Sequence, residues 1–268
     1  MCRLLGIIAN ETIDLKFSFL KADKPFRQLG LNNPDGWGIG WYINNKPEIE
    51  KEGKSILESG RDTSTIKEAR SPIIISHVRN KGKNGAKPAK RNSHPFSFEN
   101  FIFAHNGSVD RKHLINLLED DYKSQLEGET DSEVYFYWLV QNIRKKGDVV
   151  YGIRSALEEV RKSNHTGLNF LLSNGNTLYA FRYSNGNRNY YSLFYIVRDP
   201  ADKEEPLSLQ SKETQMLLNT KSLNNEKAVL VCSEELTEEK WLQIPFGNIL
   251  IIDRSLSPQL EQIIRIGC

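Results

Sequence analysis

The residue with the clearest chemical potential is Cys2, which directly follows the first methionine. Methionine is usually removed when the next residue is small, so we expect the mature chain to span residues 2–268 and to begin with this cysteine. An α-amine has a pKa of roughly 7.7 to 8.0. Near neutral pH it can therefore take the thiol proton, which makes one residue both nucleophile and base. The alternative is a small buried hydrophobic residue, the common role of a cysteine.

Two polar motifs that adjoin strand patterns could bind a substrate. In the turn Asn33–Gly38, Trp37 and Gly38 lead into a strand, although the Pro-Asp-Gly sequence alone signals only a turn. In ISHVR, an apolar strand delivers Arg79 at its carboxyl end. An arginine in that position either grips a carboxylate with its planar fork or belongs to a structural ion pair. The pattern leaves both roles open.

Two further motifs could stabilise charge during a reaction. In FAHNG, Asn106 and Gly107 end an apolar strand. A side-chain amide beside an unhindered backbone N–H is what an oxyanion hole requires, but Asn-Gly is also an ordinary turn. In GETDSE, Asp131 starts a helix, where the helix dipole stabilises an acid whatever its function. A cysteine activated by its own amine needs no imidazole, so we expect structural roles for His77, His94 and His105.

Short strand patterns dominate the chain and must position these side chains. Strands are predicted for the apolar runs RLLGIIA, WGIGWYI, PIIISHV, NFIFAH, LNFLLS, TLYAFRY, YYSLFYIV, KAVLVCS, NILIID and QIIRI. Helical spacing predicts helices at Ser132–Lys146 and Asp148–Lys162, and a weaker one at Asp110–Leu118. Thr130 and Glu133 form a capping box before the first of them. Many strands with two strong helices predict an α+β fold with helices packed outside two sheets.

Length and composition exclude several classes of protein. With 268 residues, 38% of them hydrophobic, the chain can bury a full core, and we expect one domain over residues 1–268. Apolar runs such as Tyr135–Val140 are too short to cross a membrane, and the first residues lack a signal peptide, so we expect a cytoplasmic protein.

A net charge of +2 argues against nucleic acid as a partner. We expect no metal or cofactor, because no zinc or disulfide spacing joins Cys2, Cys232 and Cys268.

Two segments carry concentrated charge. The run Lys81–Arg91, KGKNGAKPAKR, contains five basic residues among glycines, asparagine and proline. It is typical of a solvated loop, with a patch for an anionic substrate or partner as the alternative. The run Arg198–Leu209 is rich in Asp, Lys, Glu and Pro, and predicts an exposed connection.

In this order, Cys2, DGWGI, HVR, AHNG and TDSE resemble the motifs of the class II glutamine amidotransferases, which are N-terminal nucleophile hydrolases. The segments NSHPF, LNFLLSNGNTLYAFRY and KAVLVCSEELTEEKW resemble a stand-alone branch similar to the γ-glutamyl hydrolases of ergothioneine synthesis and glutathione breakdown. The resemblance covers nearly the whole chain. It implies a four-layer αββα sandwich of two mainly antiparallel sheets, without a fused synthase domain.

The resemblance also implies a role for each motif. Cys2 would attack the γ-carbonyl of a glutamine-like group and form a γ-glutamyl thioester, which water then hydrolyses. Asn106 and the backbone N–H of Gly107 would hold the oxyanion. Arg79 would bind the substrate α-carboxylate, and Asp131 the α-ammonium. Further substrate contacts are predicted for Trp37, Gly38, Asn80 and Lys81.

The sequence departs from the family pattern just after the arginine. Glutamine-using relatives commonly carry a Thr there, whereas this chain continues with Asn80 and Lys81. The basic loop could therefore favour a larger γ-glutamyl compound with a second acidic group. Three functions stay open: a stand-alone hydrolase of γ-glutamyl amides, a glutaminase subunit that supplies ammonia to a separate synthase, and a non-catalytic binding or regulatory protein.

Overall fold

The computed structural model describes residues 2–15, 18, 20, 22–60, 64–65, 68–83, 85–199 and 227–264. The predicted connection at Arg198–Leu209 lies almost wholly outside them. The strands are β1 (Arg3–Ile13), β2 (Trp37–Ile43), β3 (Lys46–Glu52), β4 (Ser71–Val78), β5 (Phe96–Phe98), β6 (Phe101–Val109), β7 (His165–Ser173), β8 (Leu178–Phe181), β9 (Phe194–Arg198), β10 (Ala228–Cys232), β11 (Leu242–Gln243), β12 (Asn248–Ile252) and β13 (Gln259–Gln262). The α-helices are α1 (Arg111–Leu117), α2 (Asp120–Lys123), α3 (Asp131–Lys146) and α4 (Val149–Val160), with 3-10 helices at Phe26–Asn32 and Lys90–Asn92.

The strands form two antiparallel sheets. Sheet A has the strand order β11-β9-β10-β1-β4-β2-β3, and sheet B has the order β13-β12-β8-β7-β6-β5. In sheet A, β1 lies between β4 and β10, which come from distant parts of the sequence. In sheet B, β6 lies between β5 and β7. The strand that follows Cys2 is therefore paired on both sides, and Asn106 is paired with Asn169 of β7.

Successive side chains of a strand point to opposite faces of its sheet, and β1 shows this alternation. Leu4 and Ile8 belong to an apolar cluster that also contains Ala104 and Leu171 of sheet B, so this face of β1 looks into the space between the sheets. Leu5 belongs to a second cluster on the outer face of sheet A. By the same alternation Cys2 lies on the inter-sheet face.

Helices α3 and α4 cover the outer face of sheet B, where their apolar residues join a third cluster with the strands. The α3 helix begins after Thr130, whose hydroxyl accepts a hydrogen bond from the backbone N–H of Glu133. It ends at Gly147, which adopts a left-handed conformation with φ 68°. Asp148 caps α4. The α+β fold of two mainly antiparallel sheets with helices packed outside is thus confirmed.

The predicted strands and helices occur, and the differences lie at the sheet edges. The β3 strand, KPEIEKE, was not predicted. It lies at the edge of sheet A, where a strand needs few apolar contacts, so its charged residues leave no apolar pattern to recognise. The final predicted strand, QIIRI, lies partly outside the described residues. Of its described part, only Gln262 belongs to β13, whose residues are exposed. Within the described part of the chain, no helix is long and apolar enough to span a membrane.

Candidate active site

Cys2 lies where β1 begins and β4 ends. The two strands pair antiparallel with Arg3 opposite Val78. One step further along this register, Cys2 is opposite Arg79. The backbone N–H of Asn80 donates to the Cys2 sulfur over 3.3 Å, and the sulfur lies 3.4 Å from the Asn80 carbonyl oxygen. Burial raises the pKa of the Cys2 thiol, whereas the Asn80 N–H and the positive charge of Arg79 act to lower that pKa.

Arg79 is only 4% exposed and organises the loop that follows it. Its guanidinium donates to the carbonyl oxygens of Ala86 at 2.7 Å and of Asp35 at 3.4 Å. The Asp35 carboxylate in turn accepts a hydrogen bond from the backbone N–H of Lys81 at 3.0 Å. Burial lowers the pKa of Arg79, and the negative charges of Asp35 and Asp131 oppose that shift. A guanidinium has five N–H groups, so further donors remain for a substrate carboxylate.

The Asn80 side chain shapes the same loop. Its amide donates to the carbonyl oxygen of Asn32 at 2.8 Å, and its side-chain oxygen accepts from the backbone N–H of Gly82 at 3.0 Å. Asn80 therefore contacts the Cys2 sulfur through its backbone, while its side chain stabilises the turn from Asn80 to Gly82. Direct substrate contacts of Asn80 and Lys81 stay predictions.

The predicted oxyanion residues lie at the far end of β6. Ile102 and Ala104 belong to the inter-sheet cluster, so alternation places Asn106 on that same face. Asn106 is 1% exposed, and its side-chain nitrogen has no hydrogen-bond partner among the described residues. A buried polar group left unpaired costs about 1–3 kcal/mol. Such a group is expected where the donor serves a ligand.

Gly107 follows with φ 146°, a conformation that favours glycine. A Cβ atom at this position would overlap with the carbonyl oxygen of Gly167 on β7. The position therefore requires glycine.

Asp131 starts α3 and is tied to the end of β6. One carboxylate oxygen accepts from the backbone N–H of Val109 at 2.9 Å, and the other from that of Ser132 at 2.9 Å. Its negative charge acts on both the Cys2 thiol and the Arg79 guanidinium, which places all three groups in one region. The structure thus brings Asp131 to the predicted site.

Trp37 lies elsewhere, which corrects one prediction. Its side chain is fully buried in the cluster on the outer face of sheet A, and its indole N–H donates to Glu52 at 3.2 Å. Cys2 is on the opposite face, so Trp37 supports the sheet from behind instead of lining the pocket. Gly38 must be a glycine, because a Cβ there would overlap with the carbonyl oxygen of His94. Its predicted place close to the nucleophile stays a prediction.

The buried histidines, for which we expect structural roles, have lowered pKa values and are therefore neutral near pH 7. The rings of His77 and His94 lie 4.1 Å apart, and none of their nitrogens has a partner of normal hydrogen-bond geometry in the described chain. Burial lowers the pKa of His77 to about 3 and lowers the pKa of His94 well below its ordinary value. His105 contacts the Ser132 hydroxyl at 2.9 Å and the Gly167 carbonyl oxygen at 3.1 Å.

The sequence did not predict two further polar residues near the site, Asn169 on β7 and Ser233 after β10. Asn169 pairs with Asn106 across β6 and β7 and is fully buried. Its amide donates to the carbonyl oxygens of Tyr191 at 3.2 Å and Ser192 at 3.4 Å. Ser233 accepts from the backbone N–H of Leu4 at 3.0 Å. The available signal was Asn169 itself, a polar residue that interrupts the apolar run LNFLLS.

The two sheets thus bring complementary groups to one end of the space between them. Sheet A supplies the Cys2 thiol and the Arg79 guanidinium, while sheet B supplies the amide of Asn106 and the N–H of Gly107. The Asp131 carboxylate completes the set. Among the described residues, no group of three or more His, Cys, Asp or Glu is placed to hold a metal ion. The arrangement suits acyl transfer on a substrate that carries both a carboxylate and an ammonium group.

Comparisons with known proteins show which family this chain resembles. A family model for class II glutamine amidotransferases matches residues 1–261. A Haemophilus influenzae protein, named as a candidate glutamine amidotransferase, is 30% identical over 210 residues; the match covers 74% of this chain and 66% of that one. This chain therefore spans just under two thirds of that relative.

Two solved structures share the fold. A glutamine aminotransferase class II domain protein of Silicibacter pomeroyi superposes with a TM-score of 0.66 at 21% identity, covering 97% of this chain and 99% of that one. Glutamine phosphoribosylpyrophosphate amidotransferase of Bacillus subtilis superposes with a TM-score of 0.63 at 16% identity. That match covers 99% of this chain but only 50% of the Bacillus enzyme.

Proposed function

The chain belongs to the class II glutamine amidotransferases, and on this premise we propose that it hydrolyses γ-glutamyl amide bonds in the cytoplasm, with Cys2 as the first residue of the mature protein. The substrate is a small molecule, either glutamine or a γ-glutamyl conjugate. The Cys2 sulfur adds to the γ-carbonyl carbon while the α-amine takes the thiol proton. The C–N bond then breaks, the α-amine returns that proton to the leaving amine, and a γ-glutamyl thioester remains. Water adds to the thioester, the C–S bond breaks, and glutamate and the thiol are released.

The observation that carries this proposal is the buried side-chain nitrogen of Asn106, which has no hydrogen-bond partner among the described residues and faces the same inter-sheet space as Cys2. An amide N–H in that position binds the oxyanion that forms when the sulfur attacks. Gly107, whose backbone conformation favours glycine, supplies its backbone N–H as the second donor. Donors that are fixed before the reaction lower its barrier, because they need no reorganisation as charge develops.

The charges around Cys2 support an amino-acid substrate. Arg79 offers the planar fork that suits a carboxylate. Asp131, held by two backbone N–H groups, offers a carboxylate for an ammonium group. A γ-glutamyl amide carries an α-carboxylate and an α-ammonium group and can pair with both charges. A simple amide has neither group and cannot.

Intact mass of the purified protein tests the proposal, measured before and after incubation with 6-diazo-5-oxonorleucine, a glutamine-mimicking electrophile. We expect a starting mass without Met1 and one adduct after incubation. Cys2→Ala should gain no adduct. Cys232→Ala is the matched control, because Cys232 is fully buried in β10 and should not react. Fully active protein that retains Met1 would contradict the mechanism, and an inert Cys2 would favour a non-catalytic binding or regulatory protein.

The second candidate is a glutaminase subunit that passes ammonia to a separate synthase. It is favoured by the Bacillus subtilis match, in which this chain corresponds to half of a larger amidotransferase. A glutaminase subunit should hydrolyse glutamine slowly alone and faster with its partner. Ammonia release from glutamine and from γ-glutamyl conjugates, measured on the isolated protein, separates the two candidates.

A further inference from the structure

The proposed function, on which this inference rests, fixes the direction in which the leaving group points. In sheet A, β1 has Arg79 beside it at the end of β4 and Ser233 beside it at the end of β10. The α-carboxylate of the γ-glutamyl group lies at Arg79. The amide nitrogen is bonded on the other side of the γ-carbonyl from the α-carbon. The leaving group therefore extends away from Arg79, toward Ser233.

The segment Tyr191–Ser192 occupies that side and bridges the two sheets. On sheet B, both of its carbonyl oxygens accept hydrogen bonds from the Asn169 amide. On sheet A, the Ser192 hydroxyl donates to the Ser233 carbonyl oxygen at 2.7 Å. Ser233 also accepts from the backbone N–H of Leu4, two residues from the nucleophile. The segment thus closes the inter-sheet space beside Cys2.

A buried arginine holds this segment in place. Arg182 is 4% exposed and donates to the carbonyl oxygens of Tyr191 at 3.1 Å, Arg188 at 2.9 Å and Ile244 at 2.8 Å. Two of these hydrogen bonds fix the backbone at Arg188 and Tyr191, and the third ties the same guanidinium to Ile244. The side chains carried by this backbone therefore have defined positions relative to the site.

The Tyr191 ring lies beside the oxyanion residues. A Cβ atom at Gly167 would overlap with the ring, so the ring rests directly on the Gly167 backbone. The same Cβ position would be 2.8 Å from the carbonyl oxygen of Asn106, and Gly107 approaches the Gly167 carbonyl from the neighbouring strand. Because Gly167 has no side chain, the Tyr191 ring can pack directly against the backbone of β7. Tyr191 remains partly exposed, so a ligand can reach it.

We propose that Tyr191 forms the floor of a leaving-group subsite and selects γ-glutamyl amides of amines with an aromatic or branched apolar body. Ammonia, the leaving group of glutamine, is too small to cover the ring. A larger apolar amine packs on it and gains contact area.

Equilibrium binding in the Cys2→Ala background tests the subsite without requiring turnover. Calorimetry compares glutamine, γ-glutamylphenylalanine and γ-glutamyl-p-nitroanilide, each with Tyr191, Tyr191→Phe and Tyr191→Ala. For the two aromatic conjugates, we expect Tyr191→Ala to weaken binding roughly three- to tenfold, with Tyr191→Phe close to the parent. Glutamine binding should change less than twofold. Tyr151→Ala, a substitution of a tyrosine 56% exposed on α4, is the matched control and should change nothing.

The outcomes separate this inference from the proposed function. Equal effects of Tyr191→Ala on glutamine and on the conjugates, or no effect on any ligand, would overturn the subsite. A wild-type protein that hydrolyses no γ-glutamyl amide would overturn the proposed function alone, provided that the binding difference at Tyr191 persists. Thermal unfolding of each variant verifies that Tyr191→Ala is folded. If it is not, Tyr191→Leu supplies the same comparison, because it removes the ring and retains an apolar side chain.

Discussion

The backbone N–H of Asn80 points at the sulfur of Cys2 over 3.3 Å. Asn80 directly follows Arg79, so the group that stabilises a thiolate and the group predicted to bind the substrate carboxylate are adjacent in the chain. Movement of this short segment must therefore affect both substrate capture and the reactivity of the thiol.

Arg79→Lys should mainly weaken substrate capture. Lysine keeps the charge but loses the fork that fits a carboxylate, and hydrogen bonds to charged groups are worth about 1.5–3 kcal/mol. We expect KM to rise roughly ten- to hundredfold in steady-state kinetics, with a smaller fall in kcat because the contact with Ala86 is also lost. An unchanged KM with a large loss of kcat would contradict the assigned role.

Asn106→Ala should lower kcat without unfolding the protein. Removal of one oxyanion donor costs about 10²–10³ in kcat elsewhere, and the Asn106 side-chain nitrogen has no partner in the described chain that would be lost. We expect a melting temperature close to that of the wild type. Asn169→Ala is the control at the paired position: its amide holds two carbonyl oxygens, so it should lower the free energy of unfolding by about 1–3 kcal/mol.

Gly107→Ala should be strongly destabilising. The alanine Cβ would overlap with the Gly167 carbonyl oxygen at a backbone conformation that side chains rarely adopt. Backbone strain of this kind costs of order 1–3 kcal/mol before the overlap is relieved. Gly60→Ala serves as control, since nothing lies within 4 Å of its Cβ position. Denaturant unfolding measures both, and equal stability of the two variants would refute the predicted close approach.

Acid should destabilise the fold through His77. Its ordinary pKa is 6.5, and burial lowers the folded-state pKa to about 3. Between these values only the unfolded chain binds the proton, so the free energy of unfolding falls as pH drops from 6.5 toward 3, by about 1.4 kcal/mol per pH unit for each imidazole. Urea unfolding of wild type and His77→Gln at several pH values checks this. The variant should show a smaller slope, and an identical slope would exclude His77 as a source.

The sequence predicted the central strands because burial on both faces leaves long apolar runs, as in β4 and β6. It could not predict β3, whose charged residues are held in place by pairing with β2. The start of α3 was readable because Thr130 and Glu133, which form the cap, are neighbours along the chain. The predicted box does not close, since the Glu133 carboxylate accepts from the backbone N–H groups of Glu127 and Gly128 instead.

Sequence motifs also identified Cys2, Arg79, Asn106 and Asp131, which the fold brings to one region. The position of Trp37 was misjudged because proximity along the chain does not fix the face of a strand. Tyr191 left no signal, since its place beside the site depends on hydrogen bonds from Asn169 and Arg182 that only the folded chain reveals.

The position of β1 between β4 and β10 also orders the events of biosynthesis. One neighbour of the nucleophile's strand, β10, ends at Cys232, so ribosomes must translate most of the message before β1 can be paired on both sides. Until β10 has been synthesised, β1 lacks one of its two neighbouring strands, and the removal of Met1 that we propose can take place in that interval. A nascent chain that stops before β10 lacks one of the two strands that flank the strand of Cys2.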